Sequence, residues 1–306
     1  GEKQKGILGA LEKVSTTLGG MEASWLKIEA IVDRLDGFKA GGIWREVIWR
    51  PLAEARDQRY LRSQEITQKY QEMLGDLAKG REKEMSQTRI YRELQGPQTD
   101  GEYSHWGLLM IALNLGNESN TRKLLKGYGW NMPQVLAVLD RELTAADKVF
   151  IQEAWDLIDT LWPEIVAQEM KLNGVKPPKI EARKFKIGGV ELAGGYFPVV
   201  YDISKDDRIA KRAEHAGLFE EMQNQFMRPI TGHGWSESRV DVAHPILLEM
   251  SVIPSHLDNV ILDLTHRATL MQVDRLLQSE RVKDVMERTL GVGSLDVGKA
   301  AYKQFR

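Results

Sequence analysis

Apolar residues recur at spacings of three and four along almost the whole chain, and only one stretch breaks that rhythm into alternation. The contrast is decisive, because one face of a helix returns every 3.6 residues and one face of a strand every second residue. GMEASWLKIEAIVDRLDG places Met21, Trp25, Ile28, Ile31 and Leu35 at helical spacing and stops at Gly37. A longer, charged helical stretch runs from Ile43 to about Leu77, where Pro51 bends it or opens a second helix. KGREKEMSQ (79–87) reads as a solvated helix or connection. Residues 100–143 read as three short helices separated by GNESN and GYGWNMP. Thr144 then caps a helix with the stripe Phe150, Ala154, Ile158, Leu161, Trp162 and Ile165, bent at Pro163 and ended at Gly174. Trp155 and Trp162 are both expected in the core.

The alternation begins after Val175. PPKIEARKFKIGGVELAGGYFPVVYD predicts a β-hairpin with strands near 180–187 and 190–200 and its turn at Gly188–Gly189. Helices resume at 205–228 and 244–251, separated by a glycine-containing loop at 229–243. A long helix opens at His256, and a last one is expected near 295–305. GVGSLDVG (291–298) is read as a connection between helices. The expected fold class is mainly α, a multi-helix assembly with one inserted β-hairpin and about two-thirds of its residues helical. Its expected divisions are an N-terminal helical region at 1–175, the hairpin insertion at 176–204, and a C-terminal helical region at 205–306. The last is expected to pack on the first as one compact or two-lobed unit.

Charge and composition narrow the function classes. With 42 basic and 44 acidic residues the net charge is −2, so binding to nucleic acid or anionic lipid requires a local patch. The absence of cysteine removes disulfides, thiolate catalysis, iron–sulfur clusters and thiolate zinc sites from consideration. No apolar run approaches the roughly 18–20 residues of a membrane span, and the first residues lack a signal-peptide core. Opening on Gly1 without Met, the chain reads as a piece cut from something longer.

Familiar chemical motifs are missing: the phosphate-cradling G-x-x-x-x-G-K-[ST], the zinc-binding H-E-x-x-H and the nucleophile elbow G-x-S-x-G. The six histidines, at 105, 215, 233, 244, 256 and 266, include no pair within one helical turn, so no metal site or cofactor is expected. The loop TGHGWSESR (231–239) offers His233 and Glu237 as weak catalytic candidates, beside a plain reading as a turn pinned by Trp235. An enzyme pocket built from His233, Glu237, His256 and His266 stays open as an alternative. So does a nucleic-acid surface on the basic hairpin through Lys179, Arg183, Lys184 and Lys186, with Tyr196, Phe197 and Tyr201 nearby. The same bases could equally keep an exposed ribbon soluble.

NVILDLTHRATL (259–270) poses a sharper problem, since an apolar helix here carries Asp263, His266 and Arg267. Leu257, Val260, Ile261, Leu264, Ala268 and Met271 share one face, while Leu262, Leu270, Val273 and Leu277 lie nearly opposite around His266. A helix apolar on two sides is a central helix. Asp263 and Arg267, four residues apart, are expected to pair as structural stitching that ties the helix to the 229–243 loop. His266 is expected to be a satisfied core histidine, with catalysis as its competing role. Ser255 is the expected cap.

GNESNTRKLLKGYGW (116–130), FIQEAWDLIDTLWPEI (150–165), GGYFPVVYD (194–202), GHGWSESRV (232–240) and NVILDLTHR (259–267) stand in an order that resembles one family. This is a helical region of very large phage and prophage polyvalent proteins, the large polyvalent-protein-associated domains. The resemblance covers most of residues 20–290 and carries no catalytic signature. It implies a module within a giant chain that is packaged in the virion and delivered with the genome into the bacterial host cytoplasm. Its implied partners are other phage proteins, other domains of the same long chain, and DNA as an open further case. The chain departs from the family's enzymatic members in lacking helicase, methyltransferase, peptidase and polymerase motifs.

Overall fold

The structure, a computed structural model, describes Leu26 and residues 28–202 and 245–291. It is 66% helical, with two small antiparallel ladders of two strands each, as the mainly α class requires. The chain divides into two compact units, one within Gly1–Glu65 and Val260–Arg306, the other spanning Ile66–Asn259. These divisions differ from the 1–175, 176–204 and 205–306 expected, because described residues near both ends of the chain share one core and the hairpin is built into the larger unit.

In the first unit, α1 (residues 28–35) is followed by a turn in which the Asp36 carboxylate accepts from the Trp44 and Arg45 amides at 3.0 and 2.8 Å. Arg45 returns the tie through its guanidinium, which reaches Glu29 at 2.9 Å and also Asp33. A wide π turn over Arg45–Trp49 leads without a break into α2 (Arg50–Ala78). It falls just ahead of Pro51, whose ring excludes regular α packing against the carbonyl four residues earlier. Ile28, Val32, Ile48 and Leu52 pack with Leu270, Val273, Leu277 and Met286. The last four belong to α9 (Val252–Leu277) and α10 (Glu280–Leu290).

The larger unit is organised around α4 (His105–Leu113). Every residue of this helix except Trp106 is buried, and Leu108–Leu113 are fully enclosed. A short helix that is apolar all round is a central one. Around it run α3 (Glu82–Ser86), α5 (Glu118–Tyr128), α6 (Met132–Glu142), α7 (Ala145–Asp159) and α8 (Trp162–Asn173). Their boundaries follow local chemistry. Asn117 caps α5, capping boxes open α6 and α7, and Gly129 and Gly174 end α5 and α8 at positive φ. Pro163 does more than bend the expected 145–174 helix, because it stands in the first turn of a separate α8.

Strands β1 (Thr88–Ile90) and β2 (Glu102–Ser104) form a ladder that the periodicity does not announce. Three residues per strand are too few to display alternation. The predicted hairpin is present as β3 (Phe185–Ile187) and β4 (Val190–Leu192), turning on Gly188 and Gly189 at φ 54 and 77. It is much shorter than the expected 180–187 and 190–200. Beyond Leu192 the backbone leaves the ladder: the Ala193 amide donates to Gln152 Oε1 at 3.0 Å and the Gly195 amide to the Gly116 carbonyl at 2.9 Å.

The α9 helix begins at Val252, four residues before the expected start, with Pro254 tolerated inside its first turn. None of its residues from 252 to 271 is exposed, which fits a central helix. Among the described residues no helix is long and apolar enough to cross a membrane.

Candidate functional site

Three segments, within residues 116–130, 150–165 and 194–202, meet in the larger unit. The carbonyl of Gly116 accepts from the amides of both Arg183 and Gly195, at 2.8 and 2.9 Å, so the two arms leading to and from the hairpin converge on one residue. Trp155 of α7 lies against both glycines. A Cβ on Gly116 would stand 2.5 Å from Trp155 Cζ2, and one on Gly195 would stand 2.6 Å from Trp155 Cβ. The indole is buried, donates to the Leu113 carbonyl at 3.1 Å, and meets the Phe185 ring edge-on with centroids 6.1 Å apart.

The asparagines of the same segment complete the seam. Asn117 accepts from the Asn120 amide at 2.9 Å and donates to the Gly195 carbonyl at 3.2 Å. Asn120 donates to the Phe197 carbonyl at 2.8 Å and to Asn114 Oδ1 at 3.3 Å, and Asn114 donates to the Met110 carbonyl at 2.9 Å. All three asparagines are buried. Buried amides need such partners, because an unsatisfied one costs about 1–3 kcal/mol. GNESN and GGYF are therefore two sides of one hydrogen-bonded joint.

A second buried cluster was missed by sequence reasoning. Asp147, fully enclosed at the first turn of α7, lies 3.0 Å from His105 Nε2 and 3.3 Å from Arg81. It also accepts from the amide and hydroxyl of Thr144 at 2.7 and 2.8 Å. Burial alone would raise its pKa. The hydrogen bonds from His105 and Thr144 outweigh that and hold the carboxyl down at about 2. The capping pattern Thr144-x-x-Asp147 is visible in the sequence, whereas its pairing with His105 and Arg81 has no local signal. The cluster ties the start of α4, the start of α7 and the segment before α3 together around one negative charge.

The sequence candidates fall as follows. Lys179 pairs with Asp159 at 2.5 Å and lies 5.5 Å over the Trp162 ring; Trp162 is half-buried, a platform and not the core residue expected. Arg183 pairs with Glu118 at 2.6 Å and Lys184 with Glu191 at 3.4 Å. Lys186 is exposed and forms no ion pair among the described residues. The hairpin turn is itself docked, with the Gly188 amide donating to Asp140 Oδ1 at 2.5 Å.

On α9, Asp263 and Arg267 approach to 3.7 Å, both largely shielded from solvent. His266 is buried, and its Nδ1 lies 2.8 Å from the Thr265 hydroxyl. That hydroxyl is also 2.8 Å from the Ile261 carbonyl, which can only accept. The single hydroxyl proton therefore goes to the carbonyl, and His266 Nδ1–H donates to the hydroxyl oxygen. His256 stands ten residues earlier on the same helix, about 15 Å along its axis. Its ring is 5.5 Å from that of Tyr196, and burial lowers its pKa to about 4. His233, Glu237 and the whole 229–243 loop lie outside the described residues, as do the helices expected at 205–228 and 295–305. Among the described residues no three His, Asp or Glu side chains gather as a metal-binding group.

An open groove of about 560 Å³ runs along α5, lined by Glu118, Arg122, Leu125, Lys126, Trp130 and Arg183 among others. Comparison with family models, with curated proteins and with solved structures finds no match to this chain.

Proposed function

We propose that the chain is a non-catalytic helical scaffold and interaction module of a virion-delivered phage polyvalent protein, acting with the injected genome or with other virion proteins. The observation that carries this reading is the use made of its most distinctive residues. Gly116, Asn117, Asn120, Trp155 and Gly195 are spent on holding three segments together, and Asp147, His105 and Arg81 on joining helix ends. Such residues serve the shape of a module whose outer surface meets its partners. The resemblance of those segments to the large polyvalent-protein-associated domains supplies the phage context, the virion and the host cytoplasm as its places of action.

The test is to follow the chain through infection. Purified particles of the phage or induced prophage that encodes it are expected to contain the protein, and infected cells to contain it before new synthesis begins. Its absence from particles, with abundant late synthesis confined to the host, would overturn the delivery reading.

A further inference from the structure

We propose that the groove along α5 binds the phosphate backbone of a nucleic-acid strand, with Arg122, Lys126 and Arg183 as its cationic contacts. This rests on the genome-associated reading above and names the surface that would meet the genome. It shares Arg183 with the basic stretch before the hairpin turn and joins it to Arg122 and Lys126 of α5, whereas Lys179 and Lys184 lie outside the groove.

The make-up and shape of the groove favour a polyanionic strand. Among the described residues its charged lining is Arg122, Lys126 and Arg183 against one acid, Glu118, a local excess of positive charge on a chain of net charge −2. Arg122 and Lys126 are exposed one helical turn apart, about 6 Å along the axis, so both can meet one strand that runs beside α5. Arg183 is held in place by the hydrogen bond its backbone N–H donates to the Gly116 carbonyl and by one guanidinium nitrogen on Glu118. A guanidinium carries five N–H donors in a planar fork, so the rest of that fork remains to grip phosphate oxygens. The concavity is open, which suits a strand lying along it better than an enclosed small molecule. Arg122 forms no ion pair among the described residues.

Glu118 makes the proposal unusually testable, because among the described lining residues it is the group that should oppose an anion. The experiment measures fluorescence anisotropy of a labelled single-stranded oligonucleotide, and of the matching duplex, against the full 306-residue chain over a salt series. The wild-type chain is expected to bind with affinity that falls steeply as salt rises. R122E/K126E should weaken binding by roughly tenfold or more at low salt and flatten the salt slope by about 2. R122Q/K126Q should do the same to a smaller degree, with helical circular dichroism unchanged. E118Q should tighten binding by about twofold to threefold, a gain that a purely structural role for these residues does not produce. K184E/K186E on the hairpin should matter less than R122E/K126E.

No binding by the wild-type chain, equal binding by R122E/K126E, or a larger loss in K184E/K186E would overturn the proposal. So would poly-glutamate binding that depends on Arg122 and Lys126 while the oligonucleotides are ignored, since the groove would then serve an acidic polypeptide. Failure here with the chain still found in virions removes the groove and leaves the delivery reading standing. Oligonucleotide binding by a chain absent from virions does the reverse.

Discussion

Gly116→Ala isolates the central joint of the larger unit with a single methyl group. The substitution carries no conformational penalty from positive φ, since Gly116 is not among the glycines in that region. Its whole cost is steric. The new Cβ would lie 2.5 and 2.6 Å from two indole carbons of Trp155 and 2.9 Å from the Gly195 nitrogen. Ordinary contacts begin near 3.4 Å, so the neighbours must retreat by most of an ångström. Trp155 cannot move freely, because it is buried and hydrogen-bonded to Leu113, and the Gly195 amide is bound to Gly116 itself. Overpacking of this kind costs about 1–3 kcal/mol, and loosening the Arg183 and Gly195 hydrogen bonds adds about 1 kcal/mol. For a unit of this size that corresponds to a fall of roughly 4–16 °C in thermal midpoint. The control is Gly75→Ala, on the exposed side of α2 with nothing within 4 Å of the added Cβ. It should stabilise by about 0.5–1 kcal/mol through helix propensity. Thermal and urea unfolding followed by circular dichroism would measure both. If Gly116→Ala unfolds with the wild-type chain while Gly75→Ala rises, the close-packed joint does not exist as described.

Other outcomes follow from the same contacts. Asp147, held at about 2 against an ordinary 3.8, should contribute about 2 kcal/mol that is fully present above pH 4 and lost as the pH falls through its folded value near 2; Asp147→Asn should remove that acid limb from stability measured against pH. Trp155→Ala should cost about 3–5 kcal/mol in urea unfolding, and Trp162→Ala, which removes only a half-buried ring under Lys179, distinctly less. Asn120→Ala should cost roughly 2–4 kcal/mol, because the Phe197 carbonyl and Asn114 both lose a buried donor. If His266 and Arg267 are stitching, His266→Gln and Arg267→Met should lower the unfolding midpoint; loss of a binding activity at unchanged stability would assign them a functional role instead.

Periodicity made most of the helices legible. The three short helices between 100 and 143 stand where GNESN and GYGWNMP divide them, and the pairing of Asp263 with Arg267 follows from four-residue spacing. The hairpin turn was equally plain, since two adjacent glycines at positive φ leave little alternative. What stayed hidden depends on partners distant in the chain. Nothing near Asp147 announces His105 or Arg81, and nothing near the hairpin announces that its backbone would bond to Gly116 and Gln152 instead of extending its own ladder. Trp162 misleads for a related reason. It continues the apolar stripe of α7 on paper, but Pro163 starts a new helix and leaves the ring half-exposed beneath Lys179. Lys179 and Lys184 likewise suggest a nucleic-acid surface on the hairpin until Asp159 and Glu191 are seen beside them.

The distinctive glycines and asparagines form one architectural joint, with Gly116 receiving both arms of the hairpin segment. Hydrogen exchange resolved to single amides measures that joint directly, because the Arg183 and Gly195 amides lie in irregular backbone and owe their protection to the Gly116 carbonyl. Both are predicted to exchange as slowly as the amides of the buried α4 helix, and both should be accelerated together by Gly116→Ala. Exchange of either amide at the rate of an open loop in the unmodified chain would contradict the account.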